Sequence, residues 1–506
     1  LKGCPTRAYT KFAEYGAVLQ DPDICFGCGY CTWVCPYNAP QLDPVQGQVT
    51  KCNMCVDRLE VGLKPACVTA CLGNALDFGV VENIPERRTQ AKTEIPGFPR
   101  GDITQPNIRF QQTKTTHRDM KRVDSSPLKY HRDDSSGTFA PAVDPKHGFE
   151  RQWNLGKLLG SHENAHIAFT LTTQAVAGAF LVMLAGLTGL SDALGEGLAR
   201  SVYLPTLLGM VLIMGYGLYR LNMHLGKPHR FYRGFYNLRH SPVSREIAGV
   251  SLFFSGLLGF SLLRIFDAGI AVTLSHLLAL VTCAGIAVGG YYMYKLYRIP
   301  ARPYWDHWHT AASFAGSTVY LGALFIMLAI SVFGQMTAGM MQLLSGLIFG
   351  GLLLEASGVA LHARDMNKSD SEGAVSFYEQ KTTYGYPNLV RNGLLVTGLL
   401  VSSILVVTGA VNLLLSGLLA VDLVLVALLG RAMFYVVVIP TTMPGAFFWK
   451  NTGFVEHARN SGLADMQQVG VVYEKHHKFD VKELIKTMKT STMRDVFGQL
   501  KQILSR

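Results

Sequence analysis

Cys25-Phe26-Gly27-Cys28-Gly29-Tyr30-Cys31-Thr32-Trp33-Val34-Cys35-Pro36 sets the reading of the whole chain. The spacing is C-x2-C-x2-C-x3-C-P. In such a run three thiolates hold irons of one [4Fe-4S] cube, and the fourth Cys ligates a different cube. Three sulfurs on one cube face need a tight loop, so glycine lets the backbone turn close to the cluster and proline redirects it afterwards. Zinc takes four ligands, usually as two separated pairs, and four Cys within eleven residues suit it poorly.

Cys52-x2-Cys55-x11-Cys67-x3-Cys71 follows as a second ligand set with a longer insertion. Alone it reads equally as zinc; beside the first run, a second set of cluster ligands is the expectation. If the fourth Cys of each run serves a neighbour, Cys25, Cys28 and Cys31 complete one cube with Cys4. Cys35, the trio Cys52, Cys55 and Cys67, and Cys71 are then left needing partners ahead of Leu1. Lys2-Gly3-Cys4-Pro5 itself reads as the end of another x3-C-P run, so the natural start is expected before Leu1.

Composition agrees with a metal site joined to a membrane part. The chain has 506 residues, a formal charge of +11 and ten Cys, nine of them before residue 72. Disulfides would be spread differently. The basic residues crowd between long uncharged stretches after residue 165, the pattern of membrane topology and lipid headgroups. No nucleic-acid partner is expected.

Thr50-Lys51-Cys52, Lys64-Pro65-Ala66-Cys67, Ala75-Leu76-Asp77-Phe78-Gly79 and Thr104-Gln105-Pro106-Asn107-Ile108 add to the cysteine order. Together they resemble the iron–sulfur subunit of the dimethyl sulfoxide reductase family, a four-cluster ferredoxin. The resemblance implies the pairing above, with Cys4, Cys25, Cys28, Cys31, Cys35, Cys52, Cys55, Cys67 and Cys71 as metal ligands. It also implies a molybdopterin catalytic subunit as partner. Leu72 departs from the family, which often has Pro there; loop geometry should change, not ligation.

Residues 110–160 are polar with no hydrophobic period and read as a linker or an extended tail on the partner. Apolar runs then follow at Asn164–Ser191, Ser201–Tyr219, Ile247–Leu263 and Ala268–Tyr294. Trp308–Leu354 divides at Gly334–Gly339, and a last pair lies in Asn392–Val421 and around Leu423–Phe448. About twenty apolar residues cross a bilayer, so eight spans are expected. Arg220, Lys227, Arg230, Arg233, Arg239 and Arg245 lie in one loop, Lys295, Arg298 and Arg302 in another, both on the side of the termini. The opposite loops offer Arg200 and Arg264. Positive-inside logic therefore puts the iron–sulfur domain in the cytoplasm, on a bacterial inner membrane.

His162-Glu163, Asn222-Met223-His224-Leu225-Gly226, Ser244-Arg245-Glu246-Ile247-Ala248, Trp305-x2-Trp308 and Gly430-Arg431-x2-Phe434-Tyr435 occur in that order. They resemble the membrane anchor subunit of the same family, so the chain looks like two usually separate subunits fused end to end. The fold class expected is α+β. A small ferredoxin-like iron–sulfur domain (1–109) precedes the linker (110–160), an all-α eight-helix transmembrane anchor (161–449) and a basic amphipathic tail (450–506).

Such an anchor lets a quinone meet the electron path, and quinone turnover needs groups that exchange protons. His224 ends span two and Glu246 begins span three, near the clusters. Ionisable residues at membrane depth are costly and functional by default, and His titrates near neutral pH. An interfacial His and a Glu paired with Arg245 or Arg220 is the plain alternative. Arg431, read as well inside span eight, is a third quinone candidate, with an internal ion pair as its alternative. Anchors of this family can carry Glu four residues before it, where this chain has Ala427. Trp305 and Trp308 read as an interfacial aromatic belt. Haem would need axial His pairs, and His276, the one His read as deep in a span, has no facing partner. No haem is expected.

In the tail, Val481, Leu484, Ile485 and Met488, then Val496, Phe497, Leu500, Ile503 and Leu504, recur at helical spacing among Lys. A helix on the membrane surface or a partner is the simplest account. The chain has no catalytic constellation of its own. The function expected is electron transfer between quinone and a molybdenum subunit reducing S- or N-oxides. The same module could serve a quinone-reducing sulfite dehydrogenase or polysulfide reductase. A zinc-binding membrane scaffold is the rival from another class.

Overall fold

The computed structural model describes residues 2–79 (except 44 and 73–75), 119–121, 127–132, 139–144, 150–441 (except 267), and 481, 482, 485 and 489. The tail helix expected in 450–506 therefore lies, apart from those four positions, outside the described residues.

Two short antiparallel hairpins flank the first cysteine run. Strands β1 (Tyr9–Lys11) and β2 (Val18–Gln20) pair Thr10 with Leu19, and β3 (Gln41–Asp43) and β4 (Gln48–Thr50) pair Leu42 with Val49. The Cys run continues into a one-turn helix, α1 (Tyr30–Val34), entered through Gly29 in the left-handed region. Further helical turns at Val56–Glu60 and Ala66–Thr69 carry the second set.

Among the described residues, eight helices are long and apolar enough to cross a membrane, and the chain is an integral membrane protein. In order they are Asn164–Leu187, Arg200–His224, Pro242–Leu263, Gly269–Leu296, Trp308–Phe333, Ala338–Lys368, Gly385–Thr408 and Leu413–Val436. The first and fifth form the buried centre. The second packs on the first, the third on the fourth, and the sixth to eighth extend from the fifth. Small residues allow the close crossings: a Cβ on Gly178 of the first span would strike the Thr318 carbonyl of the fifth.

Two span boundaries differ from the sequence expectation. The last turn in the membrane lies at Gly409–Asn412, not near Val421. Gly409 ends the seventh helix at φ 61°, and Asn412 Oδ1 caps the eighth by accepting from Leu415 N at 3.1 Å. These local signals outrank the continuous hydrophobicity on both sides. Arg431 consequently sits one turn and a half from the end of the eighth helix. The sixth helix runs past Leu354 to Lys368 and so carries Glu355 and His362 inside the bundle.

The polar 110–160 stretch is more than an extended linker. Among its described residues, Asp119–Lys121, Leu128–Arg132 and Phe139–Val143 form a three-stranded antiparallel sheet. Leu128 and Tyr130 are buried against Val375 and Ile439 of the anchor, and Tyr130 Oη donates to Glu372 Oε1 at 3.3 Å. Alternating polar and apolar residues over five positions are too short a signal to read as strand.

Candidate functional site between the cysteine loop and the membrane helices

The iron–sulfur lobe sits on the ends of the second, third and fourth spans through its backbone. Lys227 N donates to Phe26 O at 3.0 Å and Gly226 N to Gly27 O at 3.3 Å. The approach is so close that a Cβ on Gly27 or Gly226 would run into the Gly47 carbonyl. Asn237 Nδ2 donates to Cys4 O at 2.7 Å, and Ser241 Oγ to Gly3 O at 2.8 Å. Arg230 reaches the Pro22, Asp23 and Cys25 carbonyls, and Arg233 also bonds Asp23 O. The basic loop thus satisfies the carbonyls of the cluster loop. At the other end of the bundle, Arg200 bonds Ile265 O and Arg264 lies over Tyr203.

Cys4, Cys25, Cys28 and Cys31 line one small void together with Gly27, Gly29 and Tyr9. Both glycines have positive φ, 75° and 73°, so the loop can wrap the void without a Cβ in the way. Burial pushes the Cys28 and Cys25 thiols up and Cys31 up to about 11. A buried thiolate set of this kind needs a compensating cation. Four cysteines around a shared volume fit one [4Fe-4S] cube. The remaining five ligand candidates lie further along: Cys35 caps α1, Cys52 and Cys67 are exposed, and Cys55 and Cys71 are half-buried. Met54 N donates to Cys52 Sγ at 3.3 Å.

Sharing Phe26 and Cys28 with the void is a cavity of about 420 Å³. Its wall includes Phe26, Cys28, Tyr30 and Trp33 from the cysteine lobe, His166 and Phe169 from the first span, and Asn222 and His224 from the second. Glu246 and Val250 of the third span and Tyr297 complete it. His224 and Glu246 therefore do converge. Glu246 is 9% exposed. The volume is that of a small-molecule pocket, mostly apolar with a few convergent polar groups.

His166 is not evident from sequence, although it stands one turn beyond the His162-Glu163 pair. Its ring centre is 4.7 Å from that of His224 and 5.2 Å from Trp33. Its Nδ1 lies 3.0 Å from Glu163 Oε2. Burial alone would raise the Glu163 carboxyl, but His166, with His224 and Arg302 nearby, holds it below the usual carboxylate range. Trp33 is likewise hidden among cysteines; Arg302 stacks over it and donates to its carbonyl.

Arg431 lies away from this cavity. It is buried, donates to Gln174 Oε1 at 2.7 Å and Ser317 Oγ at 3.0 Å, and covers the Phe314 ring at 3.9 Å. Its carboxylate neighbour is Glu355 of the sixth span, 3% exposed and in electrostatic reach of Arg391 and Arg431. Trp305 is no belt residue: it is 1% exposed, and its Nε1 donates to Phe434 O at 2.6 Å. Trp308 is exposed. His276 points outward, whereas His309 and His362 meet inside the bundle with ring centres 4.9 Å apart.

Comparisons with known proteins follow the same division. Residues 1–81 match a 4Fe-4S dicluster domain. Over 115 residues the sequence is 45% identical to a chain of the anaerobic dimethyl sulfoxide reductase of Haemophilus influenzae, covering 22% of this protein and 54% of that one. The like-named Escherichia coli protein is 43% identical over 107 residues, 21% and 51% of the two lengths. A sulfite dehydrogenase subunit of Allochromatium vinosum is 46% identical over 101 residues, 19% and 42%. The chain spans about half the length of the curated relatives it matches. No solved structure matches it. Residues 158–437, more than half the sequence, match the DMSO reductase anchor subunit. With a 4Fe-4S dicluster domain ahead of that anchor, this protein belongs to the DMSO reductase anchor subunit (DmsC) family.

Proposed function

We propose that the chain passes electrons between a quinone in the cavity and a separate molybdopterin catalytic subunit docked on its iron–sulfur lobe. One observation carries the reading: a single cavity is walled by Cys28 on one side and by His224 and Glu246 on the other. Cys4, Cys25, Cys28 and Cys31 would hold a [4Fe-4S] cluster, which supplies one-electron acceptance and donation. Cys35, Cys52, Cys55, Cys67 and Cys71 are the ligand candidates for further clusters.

Within the cavity, His224 would hydrogen-bond one quinone oxygen and Glu246 would exchange a proton with the other. The aromatic wall of Phe26, Trp33 and Phe169 would hold the ring and exclude water. Arg431 is not assigned to this site; its packed partners suit a structural role.

Oxidation of quinol would feed reduction of an S- or N-oxide by the partner. Similarity to the sulfite dehydrogenase subunit favours a second reading, in which sulfite oxidation sends electrons into quinone. The basic residues on the iron–sulfur side support a cytoplasmic lobe on a bacterial inner membrane. Purifying the full complex tests the proposal. A large molybdenum subunit and brown iron–sulfur absorbance are expected; colourless protein with stoichiometric zinc would overturn it.

A further inference from the structure

Glu163 stands at the N-cap of the first span, yet its side chain makes no capping bond to that helix. It turns instead to His166 Nδ1 at 3.0 Å. The His166 ring lies on the cavity wall and meets the His224 ring at a 76° angle, 4.7 Å between centres. At that separation the two rings are in contact, close enough for one water to link their nitrogens. The Glu163 Oε2 facing His166 is buried, but its side chain as a whole is 27% exposed, so the row ends at a carboxylate partly open to solvent on the iron–sulfur side.

We propose that Glu163 and His166 form the dyad through which His224 exchanges protons with water on that side. The proposal rests on the reading that the cavity takes a quinone. Oxidation of a quinol releases two electrons and two protons. The two electrons would leave one at a time through the cluster that Cys4, Cys25, Cys28 and Cys31 would hold, each passing onward before the next. One hydroxyl proton passes to His224, then to His166, then to water beside Glu163; Glu246 takes the other. Quinone reduction runs the same transfers backwards.

The charged and titratable groups around His166 fit this task. Glu163 lies on its own turn, His224 comes from the second span, Glu246 faces it across the cavity, and Arg302 lies beside Glu163. Tyr435 of the eighth span is 5.8 Å away between ring centres, bonded to Tyr297 at 2.6 Å. Trp33 offers a neutral face. Glu163, 3.0 Å from His166 Nδ1, would hold the His166 ring in place. His166 would touch the quinone; Glu163 is a positioning residue.

The test is anaerobic mixing of the purified full-length protein, with its clusters, against menadiol, following cluster reduction optically across pH. His166→Gln should slow reduction by about 10²-fold and recover with added imidazole. Glu163→Gln should slow it by about tenfold and change its pH dependence, because the row loses the carboxylate beside His166. Glu163→Asp should restore much of the rate. Wild-type rates and profiles in all three, with His224→Leu still slow, would overturn the dyad and leave the quinone reading standing. Rates in His224→Leu and Glu246→Gln equal to wild type would defeat the quinone reading itself. Loss of cluster absorbance in both Glu163→Gln and Glu163→Asp would assign the pair to folding and overturn the dyad.

Discussion

The backbone N–H of Lys227 donates to the carbonyl of Phe26 at 3.0 Å, so the cluster loop and the end of the second span are joined by main chain. Phe26 follows Cys25 and precedes Gly27-Cys28, and Lys227 stands three residues beyond His224. A main-chain joint here fixes the distance between the cysteine loop and His224 without depending on flexible side chains.

That joint makes a first prediction. Gly226→Ala places a Cβ against the Gly47 carbonyl. It should lower stability by about 1–3 kcal/mol, read as a fall in melting temperature, and should slow reduction of the clusters by quinol. An unchanged melting temperature would show that the lobes are not held this tightly.

Cys28→Ser should remove one cluster from the electron paramagnetic resonance spectrum of the full-length protein and weaken assembly with its partner. Three thiolates hold a cube less firmly, and Cys28 is also the wall shared with the cavity. An unchanged cluster count would refute its assignment as a ligand.

Glu355 is buried among two arginines, and removing one charge from a buried set costs about 3–5 kcal/mol. Glu355→Ala should therefore melt well below wild type. Ala427→Glu in that background should recover part of the loss, since position 427 lies one turn from Arg431 on the same helix. No recovery would mean that Arg431 does not need a carboxylate from that direction.

The Glu163 carboxyl is held below its ordinary value of 4.5 in the folded state. Its stabilising contribution is therefore complete above 4.5 and lost as pH falls through the lower folded value. Melting temperatures of wild type and Glu163→Gln should differ at neutral pH and converge on acidification. A gap that widens toward acid would contradict the ion pair.

The parts of this arrangement that are legible in sequence are those written as local spacing. The Cys25–Pro36 run, the ends of the second and third spans and the placing of His224 and Glu246 all follow from short-range pattern. Gly409 and Asn412 are also local signals, but uninterrupted hydrophobicity on both sides hides the turn between them. Glu355 escapes notice for a different reason: a carboxylate marks the end of an apolar run unless its partners on other helices are known. His166 and Trp33 gain meaning only when the cysteine lobe is docked on the first span. The basic residues of the loop after His224 carry a topology signal, yet Arg230 and Arg233 also bond the carbonyls of Pro22–Cys25.

The central claim is that the cavity beneath Cys28 is where quinone meets the electron path. It is tested most directly by quinol-linked and dye-linked turnover of the full complex carrying His224→Leu or Glu246→Gln. Quinol-linked turnover should be blocked in both, with clusters intact and dye-linked turnover near normal, because the dye donates on the soluble side. Normal quinol-linked turnover in both variants would contradict the claim.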